Sequence, residues 1–285
     1  MPTEPKSKPT TWTQQMCLKA SHLLCMIITL LVISWASMPS GDKGLGGLTS
    51  SNIFAWHPVL MVLGMVVCFT QAMLAYRAYP FGKKTNKTIH MILQTLAVLF
   101  ISLGLWVVFK YHNDNLIANL YSLHSWLGIA TVVLFFQNFV MGFGGFWLPY
   151  ATPAQRGAYL PAHVYIGVLT FFCAIMTVET GITEKNAWLG CSYTITEIDT
   201  NPASHYGMIP SGCRVSNWMG ILILMLACTA GVAVMNLGVG AKPKEPLDVE
   251  AIAGISKEDI LPPVAPVGVS VGNDNTQESL SKGLI

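Results

Sequence analysis

The chain has 285 residues, 52% hydrophobic and only 11% charged, with a formal net charge of +2. A soluble domain carries about 25% charged residues, so this composition belongs in a lipid bilayer. The small net charge, with no basic run interleaved with aromatics, excludes nucleic acid as a partner.

The chain opens on a polar stretch, MPTEPKSKPTTWTQQM, and an apolar run over 18–38 follows. That run is longer than a signal-peptide core and has a weak cleavage flank, so it reads as a first transmembrane helix that is retained. Five more segments of spanning length lie near 53–76, 88–109, 121–142, 161–182 and 217–239. No alternating ten-residue pattern marks a β-barrel. The expected fold is an all-α membrane protein of six transmembrane helices. It divides into a segment 1–17, a six-helix domain 18–240 and a tail 241–285 that reads as disordered from its Pro, Gly, Ser and charge content.

Lys and Arg near the membrane set the orientation. One side holds Lys6, Lys8, Lys19, Arg77, Lys83, Lys84, Lys87, Arg156, Lys242 and Lys244; the other holds only Lys43, Lys110, Lys185 and Arg214. The richer side is expected to be cytosolic, with both termini on it. The long connector 183–216 then faces a compartment that permits disulfides, and Cys191 is expected to bond Cys213. The other five cysteines lie in or beside helices, where a thiol serves as small apolar filler. The sequon Asn86-Lys87-Thr88 falls on the cytosolic side and is expected to stay unused. No C-x-x-C-H signals covalent haem attachment.

Of seven histidines, four open the four central helices: His57, His90, His124 and His163. Each is expected about one turn inside its helix. Successive helices run in opposite directions, so His57 and His124 fall near the non-cytosolic face and His90 and His163 near the cytosolic one. An ionisable side chain in a span is costly and faces the bundle interior. One such histidine is commonly a helix–helix hydrogen bond; four, one per central helix and paired by depth, point to ligands. Two imidazoles from facing helices can clamp a haem iron.

Gly64, Gly128 and Gly167 share faces with His57, His124 and His163, which leaves room for a flat macrocycle. A zinc site would need further Cys or carboxylate ligands at matching depth. The two levels are roughly 20–25 Å apart along the helices, a separation suited to electron transfer across a membrane. The competing reading is a proton or metal transporter whose histidines line a path. It calls for broken half-helices, whereas Pro58 and Pro161 are expected in first turns, where proline is tolerated.

WHPVLMVLG (56–64), AMLAYR (72–77), YSLHSWLG (121–128) and PAHVYIG (161–167) occur in this order. With them the chain resembles the cytochromes b561, ascorbate-dependent transmembrane electron carriers, over about 18–240. The resemblance implies two noncovalent b haems in the central four-helix bundle of helices 2–5. His57 and His124 would ligate the non-cytosolic haem, His90 and His163 the cytosolic one. It implies ascorbate as cytosolic donor, met by Arg77, Lys83, Lys84, Lys87 and Arg156. It implies monodehydroascorbate or a ferric chelate as acceptor, met by Lys110 and His112 in a loop, with Ser122 and Trp126 shaping the rim around His124. In RGAYLPAH, Arg156 stands further from His163 than in some family members. Members often form homodimers, so a second copy of the chain is an expected partner. Secretory-vesicle, endolysosomal and plasma membranes all suit the sequence.

Overall fold

The structure, a computed structural model, describes residues 11–79, 81–191 and 206–234, with Arg77 described by its backbone alone. The tail expected to be disordered, the four terminal lysines and His205 lie outside the described residues. Among the described residues, six helices are long and apolar enough to cross a membrane. They are α1 (Trp12–Ser37), α2 (Ile53–Tyr76), α3 (Lys83–Asp114), α4 (Leu123–Trp147), α5 (Pro153–Trp188) and α6 (Ser211–Val234). Large apolar side chains, among them Leu99, Leu103, Trp106, Val133 and Met225, point outward at 50–58% exposure. Lipid is as apolar as a core, so such faces need no protein partner.

Several helices are longer than their hydrophobic stretch, and local chemistry explains each extension. A capping box starts α5: Thr152 Oγ1 accepts from Gln155 N at 3.2 Å while Gln155 Oε1 accepts from Thr152 N at 2.8 Å, with Pro153 in the first turn. The helix therefore begins well before 161, and Pro161 lies inside it rather than in its first turn. Thr11 and Gln14 build the same box on α1. KKTNKT is helical, so α3 begins at Lys83, and Asn86 Nδ2 ties it back to the carbonyls of Tyr79 and Phe81, each at 3.2 Å. Asn86 is buried, which removes the sequon from the surface. His90 and His163 thus stand two to three turns into their helices, deeper than one turn. At its far end α3 runs on to Asp114, so His112 is in its last helical turn and not in a loop.

Two helices are locally widened. α2 passes through a π-helical stretch, Val62–Cys68, and α4 ends in another, Phe143–Trp147. Such bulges realign the side chains on either side of them.

The chain packs as helical hairpins. α2 lies against α3 and α4 against α5, and α1 and α6 pair with each other to flank the bundle. Mid-bundle the packing is closed. Phe69 of α2 meets Phe135 of α4 at 5.4 Å and Phe171 of α5 at 5.9 Å, and all three are buried. On the other side Gly64 lets α2 approach α3: a Cβ there would lie 3.1 Å from Ile101 Cγ1 and 3.2 Å from the Ala97 carbonyl. Cys191 and Cys213 are bonded, with Cα atoms 5.7 Å apart, which fastens the end of α5 to the start of α6.

The disulfide closes a loop of 22 residues, worth about 3 kcal/mol on the chain-entropy model. Cys191→Ala is expected to lower the unfolding free energy in detergent by about that amount. A reductant should lower the Tm of the parent protein equally and leave the variant's unchanged.

Candidate functional site

The four central histidines come together in two pairs. His57 and His124 have ring centroids 6.3 Å apart with planes at 84°, and His90 and His163 are 6.4 Å apart at 69°. Each pair joins the two hairpins, α2–α3 and α4–α5. A single metal atom bonded at about 2 Å to one nitrogen of each ring would put the ring centres about 6 Å apart, the spacing seen in both pairs.

Within each hairpin the imidazoles are held by backbone. His57 Nδ1 lies 2.9 Å from the Gly104 carbonyl, His90 Nδ1 2.8 Å from that of Ala72, and His124 Nδ1 2.9 Å from that of Thr177. A carbonyl only accepts, so Nδ1 carries the proton in all three rings, and Nε2 keeps its lone pair. That is the tautomer a metal needs, oriented by the outer hydrogen bond in the way metal-bound histidines usually are. His163 differs: its Nδ1 is buried and without a partner.

Two glycines on the facing helices make space for the rings. A Cβ on Gly181 would stand 2.7 Å from His124 Cε1, and one on Gly142 2.7 Å from His163 Cε1. Such contacts do not occur between real atoms, so both positions require glycine unless the imidazole moves. Of the glycines expected to open room for a macrocycle, Gly128 lines a cavity between the helices. Gly64 serves helix packing, and a Cβ on Gly167 would lie 3.3 Å from Asn138 Nδ2.

That cavity sits at the level of His57 and His124, and both rings line it with Met61, Met65, Ala174 and Thr177. The donor set, the fixed tautomers, the glycine-cleared rings and this apolar slot fit a flat, iron-centred macrocycle. Tyr76 lies beside His90 at 5.8 Å, and Phe146 and Tyr159 lie beside His163 at 5.2 and 5.9 Å. The second pair is therefore also walled by aromatics. From His90 to Gly104 is fourteen residues of α3, about 21 Å at the helical rise. The three buried phenylalanines lie between the levels on α2, α4 and α5.

At the mouth of the His57–His124 level, His112 lines the cavity together with Asn119. Tyr121 packs on His112 at 6.1 Å and its hydroxyl donates to Glu184. Burial, the hydrogen bond to Glu184 and that carboxylate's charge push the Tyr121 phenol up to about 12. Lys110 is paired with Asp114 at 2.8 Å, and both are exposed. Ser122 caps α4, accepting from Ser125 N, and Ser125 is the serine that lines the cavity. Trp126 faces outward at 61% exposure. At the opposite mouth Lys83 and Lys84 are exposed and Lys87 and Arg156 are half-buried, while the side chain of Arg77 lies outside the described residues. His22 is away from both pairs and donates from Nδ1 to Gln71 Oε1 at 2.8 Å. Tyr121, Glu184 and the two cradle glycines carry no signal along their own helices; only their neighbours across the bundle mark them.

A family model described as eukaryotic cytochrome b561 matches residues 56–189. The chain is 35% identical to a transmembrane ascorbate ferrireductase of Arabidopsis thaliana over 72% of its own length and 84% of that protein. It is 34% identical to a lysosomal membrane ascorbate-dependent ferrireductase of Danio rerio over 81% of its own length and 93% of that protein. It is 36% identical to a plasma membrane ascorbate-dependent reductase of Mus musculus over 64% and 60% respectively.

Two outcomes are expected from the geometry. Gly181→Val should displace His124 and lower the haem content of the purified protein, read from its absorbance. Glu184→Gln should bring the Tyr121 phenol down from about 12 towards the ordinary tyrosine range, because an acceptor and a negative charge are both lost. The late tyrosinate step in a difference-absorbance titration checks this. Because the folded value is raised, stability from this group is present below the ordinary range and lost as pH climbs through 12.

Proposed function

The chain belongs to the eukaryotic cytochrome b561 family, and from that premise we propose that it carries electrons across the membrane. The donor is ascorbate on the cytosolic face, and the acceptor is monodehydroascorbate or a ferric chelate on the other. The observation that supports this most is the pair of histidine pairs at two depths, with three rings locked in the ligand tautomer.

His57 with His124, and His90 with His163, would each hold one noncovalent b haem. Such a haem supplies reversible one-electron chemistry with both axial positions filled by protein. The rest is done by the chain's own residues. The carbonyls of Gly104, Ala72 and Thr177 fix the imidazole protons at Nδ1. Phe69, Phe135 and Phe171 fill the space between levels with apolar side chains. An electron can cross such a layer; a hydrated proton or metal ion cannot, and this favours the electron carrier over a transporter.

Lys83, Lys84, Lys87 and Arg156, with Arg77 at the end of α2 as a further candidate, would gather positive charge at the cytosolic mouth, where an anionic donor must arrive. On the other face His112 and the Tyr121–Glu184 pair stand at the cavity mouth, able to hold an oxygen-rich acceptor by hydrogen bonds. Both termini are on the lysine-rich, cytosolic side.

The purified, detergent-solubilised protein is expected to bind two haems per chain and to show the reduced band of low-spin b haem on adding ascorbate. His57→Leu or His124→Leu should leave one haem that ascorbate still reduces rapidly. His90→Leu or His163→Leu should leave one haem reduced slowly, since the level near the donor is lost. A folded chain with no Soret absorbance, although expressed with haem precursor, would sink the proposal.

A further inference from the structure

The π-helical turn Phe143–Trp147 closes α4 at the cytosolic mouth, and side chains from α3 and α5 meet on it or just past it. Phe146 packs on the His163 ring at 5.2 Å. The Lys87 ammonium, reaching over from α3, stands 5.3 Å above the centre of the Trp147 ring. Arg156, from α5, donates from Nη2 to the Leu148 carbonyl at 3.3 Å, just past the turn. One short turn thus contacts a haem-ligand histidine and two cations, one from α3 and one from α5.

Lys83 and Lys84 are exposed on the first turn of α3. A free lysine has four rotatable bonds, and an anion that binds it must order them all. Lys87 is half-buried with its charge resting on an indole face, the strongest of the aromatic partners for a cation. An ammonium held this way is still open to an anion, because an aromatic face does not use up its hydrogen-bond donors. Trp147 is itself 39% exposed and lies at the rim of the mouth, not in the core.

We infer that Trp147 is a positioning residue for ascorbate docking: its indole pre-orders Lys87 beside Arg156 above the His90–His163 level. This rests on the proposed cytosolic ascorbate site. It assigns that site a residue that carries no charge and makes no contact with a haem-ligand histidine. The indole contributes to affinity and not to the electron step, so its removal weakens binding while the maximal rate is kept.

The test is a double-mutant cycle on the haem-loaded protein, with Trp147→Leu, Lys87→Met and the combination. KM and kcat for ascorbate are measured in steady state. The Kd of ascorbate for the fully pre-reduced protein is measured by calorimetry, a readout independent of electron transfer. Trp147→Leu is expected to raise KM and Kd by about two- to fivefold, the range for a partly exposed cation–π contact. The rate at saturating ascorbate should be kept, and Trp147→Phe should recover part of the affinity. In the Lys87→Met background Trp147→Leu should add nothing.

An unchanged Kd in Trp147→Leu, or the same increment in both backgrounds, overturns the inference. If Lys87→Met itself leaves KM and Kd unchanged, the donor site lies elsewhere and the reading beneath the inference falls. Should Trp147→Leu not retain two haems, Trp147→Met takes its place in the cycle.

Discussion

The bond from an imidazole Nδ1 to a backbone carbonyl of the neighbouring helix is the constraint on which the bundle depends. Each of the carbonyls involved sits inside a helix, where an oxygen that serves the helical ladder can still accept a further hydrogen bond; that of Thr177 also accepts from Thr180 Oγ1 at 2.9 Å. An intramembrane histidine without such a partner would carry an unmet donor in hydrocarbon. Tying it to the adjacent helix meets that need, sets the depth of one helix against the next and fixes the tautomer at once. Small residues make it possible: two of the acceptors are Gly104 and Ala72, and Gly181 lies beside the ring bound at Thr177.

The bonds also divide the labour between hairpins. His57 and His90 each bind the other's helix in α2–α3, and His124 binds α5 in the second hairpin. The ring pairs run the other way, from one hairpin to the other. His57, His90 and His124 can therefore be aimed within their own hairpins, and bringing the hairpins together completes both histidine pairs at once. His163 breaks the pattern with its buried, unpartnered Nδ1. It is held by packing instead, between the bare backbone of Gly142 and the ring of Phe146. The two levels consequently differ in how firmly their second ring is fixed by hydrogen bonding, although their ring separations are nearly equal.

Much of this was legible in the residues. Six apolar runs yield six helices, and four histidines near alternate ends of the central ones can only pair by depth. What could not be read lies across helices or at their ends. Gly128 and Gly167 share a face with their own histidines, but the glycines against the His124 and His163 rings, Gly181 and Gly142, belong to the partner helices. Spacing within one helix carries no such information. The starts of α3 and α5 were misplaced because hydropathy marks where lipid begins, whereas the Thr152–Gln155 box and the helix-forming KKTNKT continue the helix into water. The same rule misplaced His112, which rides the last polar turn of α3. The π-helical turns have no sequence mark beyond their glycines, which occur equally in ordinary packed helices.

The two mouths follow from different chemistry at their helix ends. At the end that carries Lys83, Lys84, Lys87 and Arg156, the cations that the positive-inside rule would place in the cytosol are also those of the proposed donor site, so one set of residues would answer both topology and substrate. On the other side the cations are largely engaged: Lys110 by Asp114, and Lys185 over the ring of Phe54 at 4.1 Å. His112 lines the cavity there beside the hydroxyl–carboxylate pair of Tyr121 and Glu184, groups suited to hydrogen bonding rather than to collecting anions. The proposed transfer would thus run between two chemically unlike mouths, across the layer of buried aromatic side chains formed by Phe69, Phe135 and Phe171.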